Sequence, residues 1–290
     1  MVGIRSLVGA VGGLLVGLTA ATWSIAEESA QEYLASNTLN VGIYNQAPWG
    51  FKDANGEVRG FDVDVIRAVL ESTENKGIEF SVTQFPALIP GLQASRFDVA
   101  TGGLYITPAR CELVEFTNPT LKVPDAAIVL KGNPKNIHSF ADIAAKEDVI
   151  FAATRGSITA KHADMAGVPK ERQVLFQDNA STLAALLGGR VDVGVSSAGA
   201  AIAILSDPAT GERLERAVPF EGVQDEQGNE VFGNVSLAFR ADHAALRDFF
   251  DERIAEMKAN GELLEIMKKY GFTETEMAAD LSHQTLCQAE

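Results

Sequence analysis

Between Leu39 and Val195 the chain alternates twice between short apolar runs and amphipathic stretches, and this rhythm restricts it to an α/β fold with mainly parallel sheets. In the first series Leu39–Tyr44 reads as a strand, Asn55-Gly56 as a two-residue hairpin turn, and Asp62 and Asp64 as the lead into a helix. Ile66, Val69 and Leu70 fall on one face of that helix. Ile78–Val82 follows as a strand, Ala87–Ser95 as a helix and Phe97–Thr101 as a buried strand. The second series runs through strand Val149–Ala153, helix Thr159–Met165, strand Gln173–Phe176, helix Ala180–Leu187 and strand Val191–Val195.

The proline-containing stretch Asn118–Asp125 and the apolar Ala126–Leu130 separate the two series. After the second, the polar segment Glu221–Asn234 leads into strand Val235–Arg240. A long helix then carries Leu246, Phe249, Phe250, Ile254 and Met257 on one side, stops at Gly261 and resumes over Glu262–Tyr270. This layout predicts two α/β lobes, the second inserted into the first: residues 27–123 plus 232–290, with a C-terminal tail, and residues 124–231. Ligands of open α/β sheets collect at the C-terminal ends of strands and at helix N-termini, so a cleft between the lobes is the expected site.

Met1–Ala26 opens with one charge, Arg5, continues through a Leu/Val/Gly/Ala run and closes on Ser24-Ile25-Ala26, the three-part pattern of a secretory signal peptide. The run Leu7–Ala21 approaches the length of a membrane anchor, but its glycines, its small-residue end and Glu27-Glu28 just after it favour cleavage after Ala26. The mature chain would keep 290 − 26 = 264 residues. Lys and Arg number 24 against 39 Asp and Glu, a formal charge of −15, and a chain so acidic is repelled by phosphate backbones. No nucleic-acid partner is expected. Export explains the two cysteines: in an oxidising compartment Cys111 and Cys287 would form one disulfide, with two buried free thiols as the alternative. A bond closing 287 − 111 = 176 residues would contribute roughly 5 kcal/mol on the chain-entropy account and staple the tail to the body.

Signatures of catalysis are sparse. His138, His162, His243 and His283 show no metal-ligand spacing, Gly194–Ala198 lacks the second glycine of a nucleophile elbow, and no phosphate-loop lysine motif occurs. No metal or cofactor is therefore expected. One segment reads differently: Gly102-Gly103, Tyr105 and Arg110 follow the strand Phe97–Thr101. The glycines permit close backbone approach to a ligand, Tyr105 offers an aromatic face, and Arg110 a planar fork that pairs with a carboxylate through two parallel hydrogen bonds. Spacing alone leaves a second reading level with it, in which Arg110 makes a structural ion pair and Tyr105 packs in the core.

The order Gly60-Phe61-Asp62-Val63-Asp64, Leu88-Ile89-Pro90-Gly91-Leu92-Gln93 and Ile106-Thr107-Pro108-Ala109-Arg110 resembles the polar-amino-acid-type solute-binding proteins of ABC importers. Thr154-Arg155-Gly156-Ser157, Gly189-Arg190-Val191-Asp192 and the stretch from Phe249 to Phe272 match later landmarks of that family. The likeness covers Leu39 to Phe272 and implies a periplasmic, two-lobed type II "flytrap" that closes on a small solute and delivers it, as a monomer, to a membrane permease. Ala87–Gln93, Pro108–Cys111, Lys131–Pro134, Ala166–Pro169 and the late Cys287 are most similar to the family's ectoine- and hydroxyectoine-binding branch.

That branch implies an arginine clamp at Arg110 and an aromatic box of Trp49, Phe85 and Tyr105, with Gln46 where the branch carries an acidic residue. Ordinary amino-acid binders place an Asp where Ser197 stands, and a hydroxyl residue where Ile158 stands, which leaves Ser157 and helix-start N–H groups as second-lobe contacts for a carboxylate. A buried primary ammonium needs a charged partner, whereas a diffuse or alkylated cation can rest on ring faces. The resemblance thus implies a small zwitterionic compatible solute. A binder of conventional polar amino acids is the main rival, and a periplasmic dehydratase on the same scaffold a more distant one.

Overall fold

The computed structural model describes residues 29–288 except residues 72, 226, 229, 279 and 280, so the signal-peptide segment lies outside the described residues. Strand β1 (Leu39–Tyr44) is buried along nearly its whole length, as a strand covered on both faces must be. It is followed by the short pair β2 (Phe51–Lys52) and β3 (Val58–Arg59), then β4 (Ile78–Thr83), β5 (Val99–Tyr105), β6 (Glu115–Phe116) and β7 (Leu121–Val123). Strands β8 (Asp125–Leu130), β9 (Phe151–Thr154), β10 (Gln173–Phe176), β11 (Val193–Ser197) and β12 (Leu214–Arg216) come next, and β13 (Gly233–Phe239) last.

Two sheets result. One has the order β4-β1-β5-β13-β6, with β7 also on β13; the other has the order β10-β9-β11-β8-β12. In the first, β1 pairs in parallel with β4 and β5 while β13 runs antiparallel. In the second, β9 pairs in parallel with β10 and β11 while β8 runs antiparallel to β11 and β12. The chain passes from the first sheet to the second across the single residue Pro124 and returns between β12 and β13, so the second lobe is an insertion in the first.

Helices cover the sheets because their apolar stripes must be buried. Phe61–Glu71 buries Phe61, Val65, Ile66 and Val69; Ala244–Asn260 buries Leu246, Phe250, Ile254 and Met257, leaving Phe249 only partly covered. In the second lobe Phe140, Phe151, Val193 and Val195 share a core. Each such fully buried side chain stabilises the fold by about 1.5–3 kcal/mol.

Several elements depart locally from the sequence pattern. The hairpin at Asn55-Gly56 forms, but its connection is Asp53–Glu57, because Asp53 Oδ1 accepts from the N–H groups of Asn55 (2.9 Å) and Glu57 (3.0 Å). The helix expected over Ala87–Ser95 divides into a 3₁₀ turn, Phe85–Ala87, and a helix, Leu88–Gln93, with Ser95 beyond it at φ 53°. The strand expected at Val191–Val195 starts and ends two residues later. The strand expected at Phe97–Thr101 begins at Val99 and runs through both glycines to Tyr105, because β13 keeps pairing with it as far as Val235↔Tyr105, past a register shift between Ser236 and Ala238. Gly102 and Gly103, at φ 150° and 67°, take backbone conformations that side chains resist, and the irregularity re-aims the end of β5.

Cys111 and Cys287 are disulfide-bonded with Cα atoms 5.7 Å apart. The bond ties the C-terminal helix His283–Gln288 to the single turn Pro108–Cys111 that carries Arg110, and the His283 N–H donates to Asn118 Oδ1 at 2.8 Å beside it.

Candidate ligand-binding site

The C-terminal ends of β1, β5, β9 and β11 converge on a cavity between the two sheets. All eight residues singled out from the sequence line it: Gln46, Trp49, Phe85, Gly103, Tyr105 and Arg110 from the first lobe, Ser157 and Ser197 from the second. Tyr44, Thr154, Thr159, Asn179 and Ser196 also line it and were not anticipated. Position gave the only available signal for them. Tyr44 ends β1 and Thr154 ends β9, while Asn179 opens a helix capped by Asp178.

Arg110 Nη1 donates to the Tyr105 carbonyl at 2.7 Å and Nη2 to the Gly156 carbonyl at 2.9 Å, the second bond crossing the cleft. Its Cζ stands 5.6 Å from the centre of the Phe85 ring. No carboxylate meets it at ion-pair distance among the described residues, and burial draws its pKa down to about 10, so it stays protonated at neutral pH. Two backbone carbonyls hold the fork; neither neutralises it.

Trp49 is only 2% exposed and stacks on Phe272 with centroids 5.5 Å apart. A Cβ on Gly103 would come within 2.7 Å of its indole, so the strained glycine is what lets the ring lie flat on β5. Tyr105 is 5% exposed, and the phenol's pKa is raised well above 10 by burial, then by the nearby Asp125 charge. Phe85 starts the 3₁₀ turn and meets Tyr44 edge-on at 5.5 Å.

In the second lobe Ser157 and Ser197 are helix N-caps, their hydroxyls each accepting from a backbone N–H at 3.3 Å, Ala160 for one and Ala200 for the other. Together with Asn179 they bring the starts of three helices, Ile158–Met165, Asn179–Leu187 and Ala198–Leu205, to the cavity, where aligned backbone dipoles favour negative charge. Asn179 also links the lobes. Its N–H donates to Tyr44 Oη at 2.9 Å and its Nδ2 to Gln46 Oε1 at 3.0 Å, while Gln46 Nε2 donates to the Ala47 carbonyl at 2.8 Å. Both ends of Gln46 are thereby engaged.

Arg110 is the one charged side chain of the described lining, which contains no carboxylate, imidazole or amine. Just beneath, the buried Asp62 accepts from Thr101 Oγ1 and from the Gly103 N–H at 3.1 Å. Its pKa is raised to about 6 by burial, against those bonds. Asp62 braces the glycine backbone from behind.

The profile of the bacterial extracellular solute-binding proteins, family 3, matches residues 39–274. A probable amino-acid ABC transporter periplasmic-binding protein, y4tE, of Sinorhizobium fredii is 33% identical over 262 residues, 89% of this chain and 85% of that protein. The structure of EhuB in complex with hydroxyectoine is 32% identical with a TM-score of 0.80, covering 91% of this chain and all of that one. An ancestral arginine-binding protein bound to arginine is 28% identical with a TM-score of 0.67, over 81% of this chain and 98% of that one. With two α/β lobes, the second inserted in the first, and a cavity at their strand ends, this chain belongs to the bacterial extracellular solute-binding proteins of family 3 and has their type II fold.

Proposed function

We propose that this protein captures a small zwitterionic compatible solute of the ectoine or hydroxyectoine kind. It is the extracytoplasmic solute-binding component of an amino-acid-type ABC importer, a transport protein and not an enzyme. In the finer reading it works in the periplasm as a monomer after losing residues 1–26, and hands its solute to the membrane permease. The hinge lies at the limits of residues 124–231, a division supported by the crossing at Pro124, whose carbonyl accepts from the Ala198 N–H at 2.9 Å.

One observation carries the ligand class: the described cavity holds a single charged side chain, Arg110, and no negative group. Arg110 and the helix starts at Ser157 and Ser197 would take the carboxylate. Trp49, Phe85 and Tyr105 would face the cationic end, each desolvated ring contact contributing up to ~2 kcal/mol, while Gln46 and Gly103 shape the floor. Closure strengthens both interactions by excluding water. Conventional amino acids are supported by the relatives' names, but their primary ammonium would find no carboxylate here.

Calorimetric titration with ectoine, hydroxyectoine, glycine betaine, arginine and glutamine tests the reading. Heat is expected from ectoine, hydroxyectoine or glycine betaine, and Arg110→Ala should weaken that binding by about 30-fold or more, since truncating one partner of a buried charge pair costs about 2–5 kcal/mol. Arg110→Lys keeps the charge but not the fork and should also bind poorly. Heat from arginine or glutamine alone, or full affinity in Arg110→Ala, would overturn it.

A further inference from the structure

The Tyr105 hydroxyl is buried and makes no hydrogen bond of regular geometry among the described residues, although folded chains almost always pair such groups, and the Ser197 hydroxyl is the polar side chain close enough to act on it as a weak partner. It cannot swing away to find a better one. A Cβ on Gly233 would lie 1.9 Å from the Tyr105 ring, so ring and glycine backbone fit face against face, and Tyr105 is itself held in register opposite Val235. Ser197 and Arg110 both act on the phenol, one through its hydroxyl and the other through its charge, and both line the cavity. Ser197 Oγ accepts from the Ala200 N–H, which leaves its own proton to donate.

Burial and the neighbouring Asp125 keep the phenol protonated, so it can both donate and accept. The same Asp125, whose carboxylate pairs with His162, makes this corner unfavourable for a second anion. The ligand carboxylate belongs to Arg110 and its cationic end to the ring faces, so what fits at the Tyr105 hydroxyl itself is a neutral group with a proton and a lone pair.

We propose that the Tyr105 and Ser197 hydroxyls form a hydrogen-bonding subsite facing each other across the cleft, selecting a solute that bears a hydroxyl in addition to its carboxylate. This rests on the proposed role of the cavity in holding a small carboxylate, and it narrows that ligand class to hydroxylated members. A site built to bond a hydroxyl rejects the analogue lacking it, because its own polar groups are then left unpaired.

The experiment is titration calorimetry of the wild type and Tyr105→Phe with three pairs: hydroxyectoine and ectoine, 4-hydroxyproline and proline, carnitine and γ-butyrobetaine. Wild-type protein is expected to bind the hydroxylated member of at least one pair about tenfold tighter, and Tyr105→Phe to bring that ratio close to one, with an unliganded melting curve showing the variant folded. A ratio unchanged in the variant, equal binding of both members by the wild type, or binding of no member of any pair overturns the subsite. Preference within the proline or carnitine pair without ectoine binding would sink the ectoine-like reading and leave the subsite standing. Ectoine and hydroxyectoine bound equally would do the reverse.

Discussion

Gly199→Ala should weaken ligand binding while leaving the unliganded fold intact. Gly199 sits in the first turn of the second-lobe helix Ala198–Leu205, and a Cβ there would meet Phe272 Cε1 and Cζ at 2.9 Å and Trp49 Cζ2 at 3.3 Å, both on the first lobe. The rings cannot yield. Phe272 is 5% exposed, stacked on Trp49 at 5.5 Å and edge-on to Phe61 at 5.7 Å. The overlap is therefore relieved by moving the lobes apart, which costs the closed state what overpacking a core costs, about 1–3 kcal/mol. Affinity should fall about 5- to 150-fold for whichever solute the wild type binds by calorimetry. Without solute the alanine relieves a helical glycine, worth up to about 1 kcal/mol, so chemical denaturation should show equal or greater stability. Small-angle scattering should show a wider particle. Undiminished affinity, or an unliganded protein destabilised by several kcal/mol, would refute the argument, the latter because it would mean the first lobe absorbed the strain.

The contribution of Asp62 to stability should fall from acid towards neutral pH. Asp62, held at about 6 against an ordinary 3.8, keeps in the folded state a proton that the unfolded chain releases, so its contribution is greatest below the unfolded value and is lost as pH rises through 6. The difference amounts to about 3 kcal/mol, and urea denaturation at several pH values should show a slope that Asp62→Asn flattens; an unaltered slope would count against the assignment. Reduction of Cys111–Cys287 should lower stability by about 2–5 kcal/mol and make the segment around His283–Gln288 the first site of limited proteolysis, detected by mass spectrometry.

Much of the candidate site was legible because local chemistry left marks in the chain. Arg110 stood out as a fork after two glycines, and the order of motifs from Gly60 to Phe272 carried the resemblance that pointed to Trp49 and Phe85. Asn179 and Tyr44 left no such mark. Their roles come from bonds to partners 133 and 135 residues away, and no local pattern encodes a contact of that range. The glycine pair shows the middle case: the composition announced close approach, but only the pairing of β13 revealed that Gly102 and Gly103 lie inside a strand, pressed on Tyr44 and Trp49.

Alternating hydrophobicity by itself determined that the chain folds as α/β lobes with one inserted in the other, because period and sequence order are properties of the backbone. The charge ratio and the cysteine pair likewise belong to the sequence. What the tertiary structure alone decided is the electrostatic character of the cavity: a guanidinium held by two carbonyls, three helix starts aimed inward, and Gln46 spent on Asn179. Whether a polar atom is free to meet a solute depends on what else lies within about 3 Å of it, and that distance is set by how distant segments pack.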